Sequence, residues 1–136
     1  MADWFGRRFP KKPLGRRGEK AAARHLKRQG YKIVSTGTQL RPGELDIVAL
    51  DGQTIVFVEV KTRQSRQYGH PAEAVTPAKQ RRLTRLAVTF LKLHGLLEHA
   101  ARFDVVAVTW PEGQRRPEIE HFKNAFEAVG QGEFYS

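Results

Sequence analysis

Glu44-Leu45-Asp46-Ile47-Val48-Ala49-Leu50-Asp51-Gly52-Gln53-Thr54-Ile55-Val56-Phe57-Val58-Glu59-Val60-Lys61 reads as two apolar strands joined by a tight Asp51-Gly52 turn. The second strand carries the continuous apolar run of a strand buried on both faces. Glu59 and Lys61 interrupt that run at its far end. Both point to the same side, because side chains alternate along a strand. Asp46, in the neighbouring strand, can come alongside them. Glu and Lys are almost never fully buried without partners, and a chain that needed only a core would carry Val or Ile there. Three ionisable groups converging in one sheet therefore mark a candidate site.

Working outward, Tyr31–Val34 reads as a first strand, 44–50 as a second between Pro42-Gly43 and Asp51-Gly52, and 54–62 as a third. Together they suggest an antiparallel meander. Before them, 16–29 has the spacing of a helix stopped by Gly30, with Ala22, Ala23 and Leu26 as its apolar stripe. Glu19 falls on that inward face rather than on the solvated one. After the meander, 63–75 is a polar, basic loop. Thr76 is placed to cap a helix with Pro77 at its first position. That helix runs to about His94, with Leu83, Leu86, Ala87, Phe90 and Leu93 at helical spacing. Phe103–Thr109 is a fourth strand, and Ile119–Phe122 suggests a further short one. The expectation is an α/β fold of order αβββαβ, a mixed central sheet flanked by helices. Its single domain spans 16–127, between a flexible basic arm (1–15) and a tail (128–136).

The 136 residues suffice for one domain with a real core. Lys and Arg number 24 against 14 Asp and Glu, a net charge of +10 that favours polyanionic partners, nucleic acid above all. The absence of cysteine removes disulfides, Cys-zinc sites and thiol nucleophiles, and suits a reducing cytoplasm. No apolar stretch approaches the length of a membrane span, so no membrane role is expected.

At about 5 Å and an effective dielectric near 20, Asp46 and Glu59 would repel by about 3 kcal/mol. Lys61 can offset part of that. A hard divalent cation, magnesium or manganese, offsets it better, with the Val60 carbonyl as a further oxygen ligand. Coordination left open by this set suits phosphodiester hydrolysis, with Lys61 orienting or deprotonating a water or neutralising charge on the phosphate. Glu19 could hold a second metal or a metal-bound water. A plain ion-pair cluster, with Glu59 and Lys61 paired and Asp46 bonded to turn amides, fits the same residues. Glu44 reads as a solvated strand-end charge rather than a further ligand. Arg63 and Arg66, just past Lys61, are candidates for backbone contacts with nucleic acid. Lys79, Gln80 and Arg81, following the helix cap, can approach phosphate, although Lys79, Arg82 and Arg85 equally suit a solvated face. Asp104 reads as structural, paired with Arg102. The histidines at 25, 70, 94, 99 and 121 show no metal-ligand spacing.

The ordered set Gly18-Glu19, Gly43-Glu44-Leu45-Asp46 and, after twelve intervening residues, Glu59-Val60-Lys61 resembles the PD-(D/E)XK nuclease superfamily. The spacing is similar to that of archaeal Holliday junction resolvases. More closely, the chain looks like the YraN-type family of uncharacterised bacterial proteins, from about Leu14 to Phe126. That likeness includes Gly18-Glu19-x-x-Ala22, Val56 to Arg63, Lys79-Gln80-Arg81-Arg82, Arg102-Phe103-Asp104-Val105-Val106 and Asn124-Ala125-Phe126. Leu45 stands where the superfamily's namesake proline would be. The resemblance implies a restriction-endonuclease-like fold. It makes Asp46 and Glu59 metal ligands, Lys61 the catalytic lysine and Glu19 the helix carboxylate. The implied activity is metal-dependent endonucleolytic hydrolysis of DNA, in branched or structured substrates. A nucleic-acid-binding module that keeps the fold without turnover is the alternative, and a protein-interaction subunit is a third reading. A resolvase-type reaction implies a two-fold homodimer.

Overall fold

Pro13–Arg28 form helix α1 in the computed structural model, which describes residues 13–41, 43–65 and 75–129. The helix starts three residues before the expected position. A proline in the first turn gives up no hydrogen bond, so the helix extends back to Pro13. Gly30, at φ 95°, supplies the left-handed stop. Ala21, Ala22 and Leu26 are buried while Ala23 is half-exposed, so the inward stripe sits one position round from the expected one. The rest of the basic arm (1–12), Arg66 with its loop (66–74) and the tail beyond Val129 lie outside the described residues.

Three strands follow: β1 (Lys32–Gln39), β2 (Glu44–Asp51) and β3 (Thr54–Arg63). Helix α2 (Pro77–Leu93) then crosses over to β4 (Ala101–Thr109), and β5 (Glu118–Phe126) closes the order. The sheet runs β1-β2-β3-β4-β5. The meander β1-β2-β3 is antiparallel, β3 and β4 are parallel, and β5 returns antiparallel to β4. This is the expected mixed α/β sheet in αβββαβ order with one more strand, longer than Ile119–Phe122 suggested.

Two cores hold the sheet between the helices. On one face Ala21, Ala22 and Leu26 of α1 pack with Ile47, Val56, Val58, Val106 and Val108. On the other, Leu83, Leu86, Ala87, Phe90 and Leu91 of α2 pack with Leu45, Phe57, Phe103 and Val105. Strand β3 is buried from both sides because both helices need it, which is why its sequence lacks polar alternation. Thr76 caps α2, its hydroxyl accepting the Lys79 N–H at 3.3 Å. Leu93 is 68 % exposed. It lies about 200° round the helix from buried Leu91, off the stripe it was expected to extend.

Strand β5 escaped a full reading because its ladder with β4 is irregular. Register shifts between Phe103 and Val105, and Asn124 takes φ 50°. The Asp104 carboxylate accepts the Asn124 N–H at 2.9 Å, which ties down the bulge. Asp104 is fully buried and takes both Nε and Nη2 of Arg102, at 2.9 and 3.2 Å, and Nε2 of His121 at 2.7 Å. Arg102 reaches on to the Tyr31 hydroxyl at 2.8 Å and Asp51 at 3.0 Å. The Arg102–Asp104 pair was expected; the rest of the network, which clamps β5 and the start of β1 to the sheet, was not.

Candidate active site

The β2–β3 ladder ends early. Its pairs run from Asp51↔Thr54 to Ile47↔Val58, although β2 stays paired with β1 out to Gln39↔Glu44. Beyond Ile47, β2 and β3 part, and the backbone groups facing the gap need other partners. The Val60 N–H donates to Asp46 Oδ2 at 2.9 Å across it. Leu45 and Ile47 lie in different cores, although residues two apart in a regular strand share a face. The strand therefore rotates at Asp46 and turns its carboxylate edge-on, towards β3.

Glu59 and Lys61 alternate with Val58 and Val60, which belong to the α1-side core, so they share the α2 face with Ile55 and Phe57. Lys61 Nζ lies 3.4 Å from Glu59 Oε2. The Glu59 side chain is only 14 % exposed. Burial, and then the Asp46 carboxylate to which it is hydrogen-bonded, push its carboxyl up to about 7, against the opposing pull of Lys61. The Glu59–Asp46 pair thus holds a proton more tightly than two separate carboxylates would.

From the α1 side, Glu19 reaches the same gap. Gly18 makes that approach possible: a Cβ there would collide with the Thr62 side chain, so only glycine lets the helix lie this close to β3. Carboxylate oxygens of Glu19, Glu44 and Asp46 lie within 4.8 Å of one another, all three residues half-buried. Two oxygens on opposite sides of a magnesium ion are about 4 Å apart, and the all-oxygen donor set is the one hard cations prefer. The residues present therefore fit a divalent ion.

The structure thus brings Glu19, Asp46, Glu59 and Lys61 to one gap in the sheet. Glu44, read as a solvated strand-end charge, is half-buried at the start of β2. The β1–β2 ladder continues to Glu44, and Gln39 Nε2 donates to its carboxylate at 2.6 Å, so the residue is held in the acidic group. The signal available in sequence was its two-residue offset from Asp46. Val60 is placed by its N–H. Lys79, on the first turn of α2, comes beside Lys61, whose ammonium holds the Lys79 amine below the usual lysine range. Gln80 turns away: its amide donates to the Val75 carbonyl at 3.0 Å, securing the start of the helix. Arg81 is exposed on α2. Arg63 ends β3, with Nε 3.5 Å from the Thr109 hydroxyl and its carbonyl accepting the Trp110 N–H at 2.9 Å.

No described helix is long and apolar enough to cross a membrane. The chain is 49 % identical over 125 residues to a UPF0102 protein of Rhodopirellula baltica, covering 90 % of this chain and 75 % of that one. It is 52 % identical over 116 residues to a UPF0102 protein of Geobacter metallireducens, covering 85 % and 93 %. Among solved structures, Pyrococcus furiosus SfsA in complex with Ca2+ is similar over 81 % of this chain and 62 % of that one, with 14 % identity and a TM-score of 0.36. The profile of the uncharacterised protein family UPF0102 matches residues 18–108. The chain belongs to that family, the YraN-type family of the PD-(D/E)XK-like nuclease superfamily.

Proposed function

We propose that the protein is a divalent-cation-dependent endonuclease that hydrolyses phosphodiester bonds in DNA, including branched or structured DNA. One observation carries the reading: the early end of the β2–β3 ladder gathers carboxylates from α1, β2 and β3 beside a lysine. In a protein of net charge +10, such an acidic focus is out of character for a surface that only meets a polyanion.

Asp46 would hold the ion together with Glu19 and Glu44, whose carboxylate oxygens lie beside its own, and Glu59, next to Asp46, would join or orient the shell once ionised. A bound magnesium or manganese ion supplies Lewis-acid polarisation of the scissile phosphate. The chain's own groups do the remainder. Lys61, paired with Glu59, presents an ammonium to charge developing on phosphate oxygens. Lys79 adds a second cation beside it, and the two together favour an anion between them. Val60 fixes Asp46 by its N–H, which holds one carboxylate oxygen to the backbone of β3.

The test is cleavage of labelled single-stranded, duplex, flap and four-way-junction DNA with magnesium, with manganese and with EDTA. Products that need the cation support the reading, and the panel identifies the substrate. Binding without cleavage under every condition overturns it in favour of a non-catalytic module.

A further inference from the structure

Helix α1 separates two opposite kinds of surface. Glu19 lies on the flank that meets β2. Ala21, Arg24 and Arg28 lie on the other, where they line a groove with Arg116, Pro117 and Ile119 from the β4–β5 connection and β5. At 100° per residue, Arg24 and Arg28 are about 40° apart, and Arg28 is about 180° from Glu19. All three arginines are exposed, and no carboxylate lines the groove. Arginine's planar fork is made for bidentate contact with phosphate oxygens. Three such forks around one channel repel one another and are relieved by an anion.

We propose that the Arg24–Arg28–Arg116 groove binds the phosphate backbone of a nucleic-acid strand other than the one held at the carboxylates. A helix with its side chains is about 10–12 Å across, close to the roughly 12 Å width of the major groove of a duplex. The two flanks of α1 are therefore separated by the distance between two backbones, not by one step along a single backbone. The exposed outer residues Arg16, Arg17, Lys20 and Lys27 are basic as well, so nothing on the helix between the flanks repels phosphate. The assignment rests on the nucleic-acid reading above, and its test separates the two.

The Arg24→Gln/Arg28→Gln/Arg116→Gln variant is compared with its parent, both in a Lys61→Ala background with magnesium, so that the probe stays intact. Fluorescence anisotropy measures binding to a labelled duplex and to a single strand of equal length across a salt series. Each lost duplex phosphate contact flattens the plot of log affinity against log salt by about 0.9, so three remove about 2.7. The single-strand slope should change by less than one contact. Lys92→Gln, an exposed cation on α2 across the sheet, serves as the control with no change in slope. An unchanged duplex slope overturns the groove while leaving the functional reading intact. An equal loss on the single strand overturns the assignment to a second strand. A parent that binds neither probe overturns the functional reading itself.

Discussion

Glu59 offers the sharpest physical test of the site, because its cost is legible without any substrate. Burial beside Asp46 moves its carboxyl from 4.5 to about 7. Ionising it in the folded chain therefore costs about 3 kcal/mol more than in the unfolded one. Between those two values the folded chain keeps a proton that the unfolded chain has released. Stability must then fall as pH rises through that window, and the loss is complete above about pH 7. Glu59→Gln replaces the protonated carboxyl with a neutral amide that can still donate to Asp46. In EDTA, parent and variant should unfold at similar urea concentrations near pH 4.5, and the variant should be the more stable by about 3 kcal/mol at pH 8. Magnesium should recover part of the parent's deficit at pH 8 and do less for the variant. Urea midpoints from pH 4.5 to 8.5, with and without magnesium, measure both effects. A difference between the two proteins that stays constant across pH would refute the buried, carboxylate-coupled Glu59.

Asp46→Ala should weaken calorimetric binding of manganese or magnesium while leaving the far-ultraviolet spectrum intact; an unchanged titration contradicts the ligand role. Gly18→Ala should cost about 1–3 kcal/mol by forcing α1 off Thr62, and should lower cation affinity through Glu19. Gly15→Ala, where an added Cβ meets nothing, should be neutral or stabilising; equal behaviour of the two variants in chemical denaturation would contradict the close approach at Gly18. Asp104→Ala should destabilise by about 3 kcal/mol at neutral pH, because Arg102, His121 and the Asn124 N–H lose the buried carboxylate that joins them, and Arg102 keeps only Asp51 and Tyr31. Burial raises the Asp104 carboxyl, but His121, Arg102 and the Asn124 N–H outweigh it and hold it below the usual carboxylate range. That stabilisation is present above about pH 4 and is lost as pH falls through the depressed value, so the deficit of the variant should narrow in acid. A deficit that is constant or widens in acid would contradict the network.

The fold was readable wherever burial left a periodic trace. Strands β2, β3 and β4 are apolar runs, and the crossover helix shows an apolar stripe after its Thr76-Pro77 start; β1, read as Tyr31–Val34, continues to Gln39 through polar residues that no apolar pattern marks. Strand β5 was under-read because an edge strand with a bulge at Asn124 breaks the two-residue period that identifies strands. Leu93 misled because a helix stripe drifts, and Leu91 took the position inside. At the site, Glu59 and Lys61 stood out because charge inside a doubly buried strand has no structural economy. Glu44 did not, because a carboxylate at a strand end carries no mark of the Gln39 amide and the neighbouring carboxylates it meets in the folded sheet. The rotation at Asp46 was equally invisible, since it follows from the parting of β2 and β3 rather than from any residue's own preference. The Asp104 network joins residues as far apart as Tyr31 and His121, and only Asp104 among apolar neighbours announced it.

Cleavage of the labelled DNA panel by the parent and by Lys61→Ala, side by side, with manganese or magnesium, decides whether these carboxylates and this lysine form a nuclease site. The Lys61 side chain is 22 % exposed and paired with Glu59, so the urea transition of each protein is measured alongside to show that both are folded under the assay conditions. Cation-dependent products are expected from the parent and none from the variant. Equal cleavage by both proteins would contradict the assigned site, and no cleavage by either would contradict the nuclease reading.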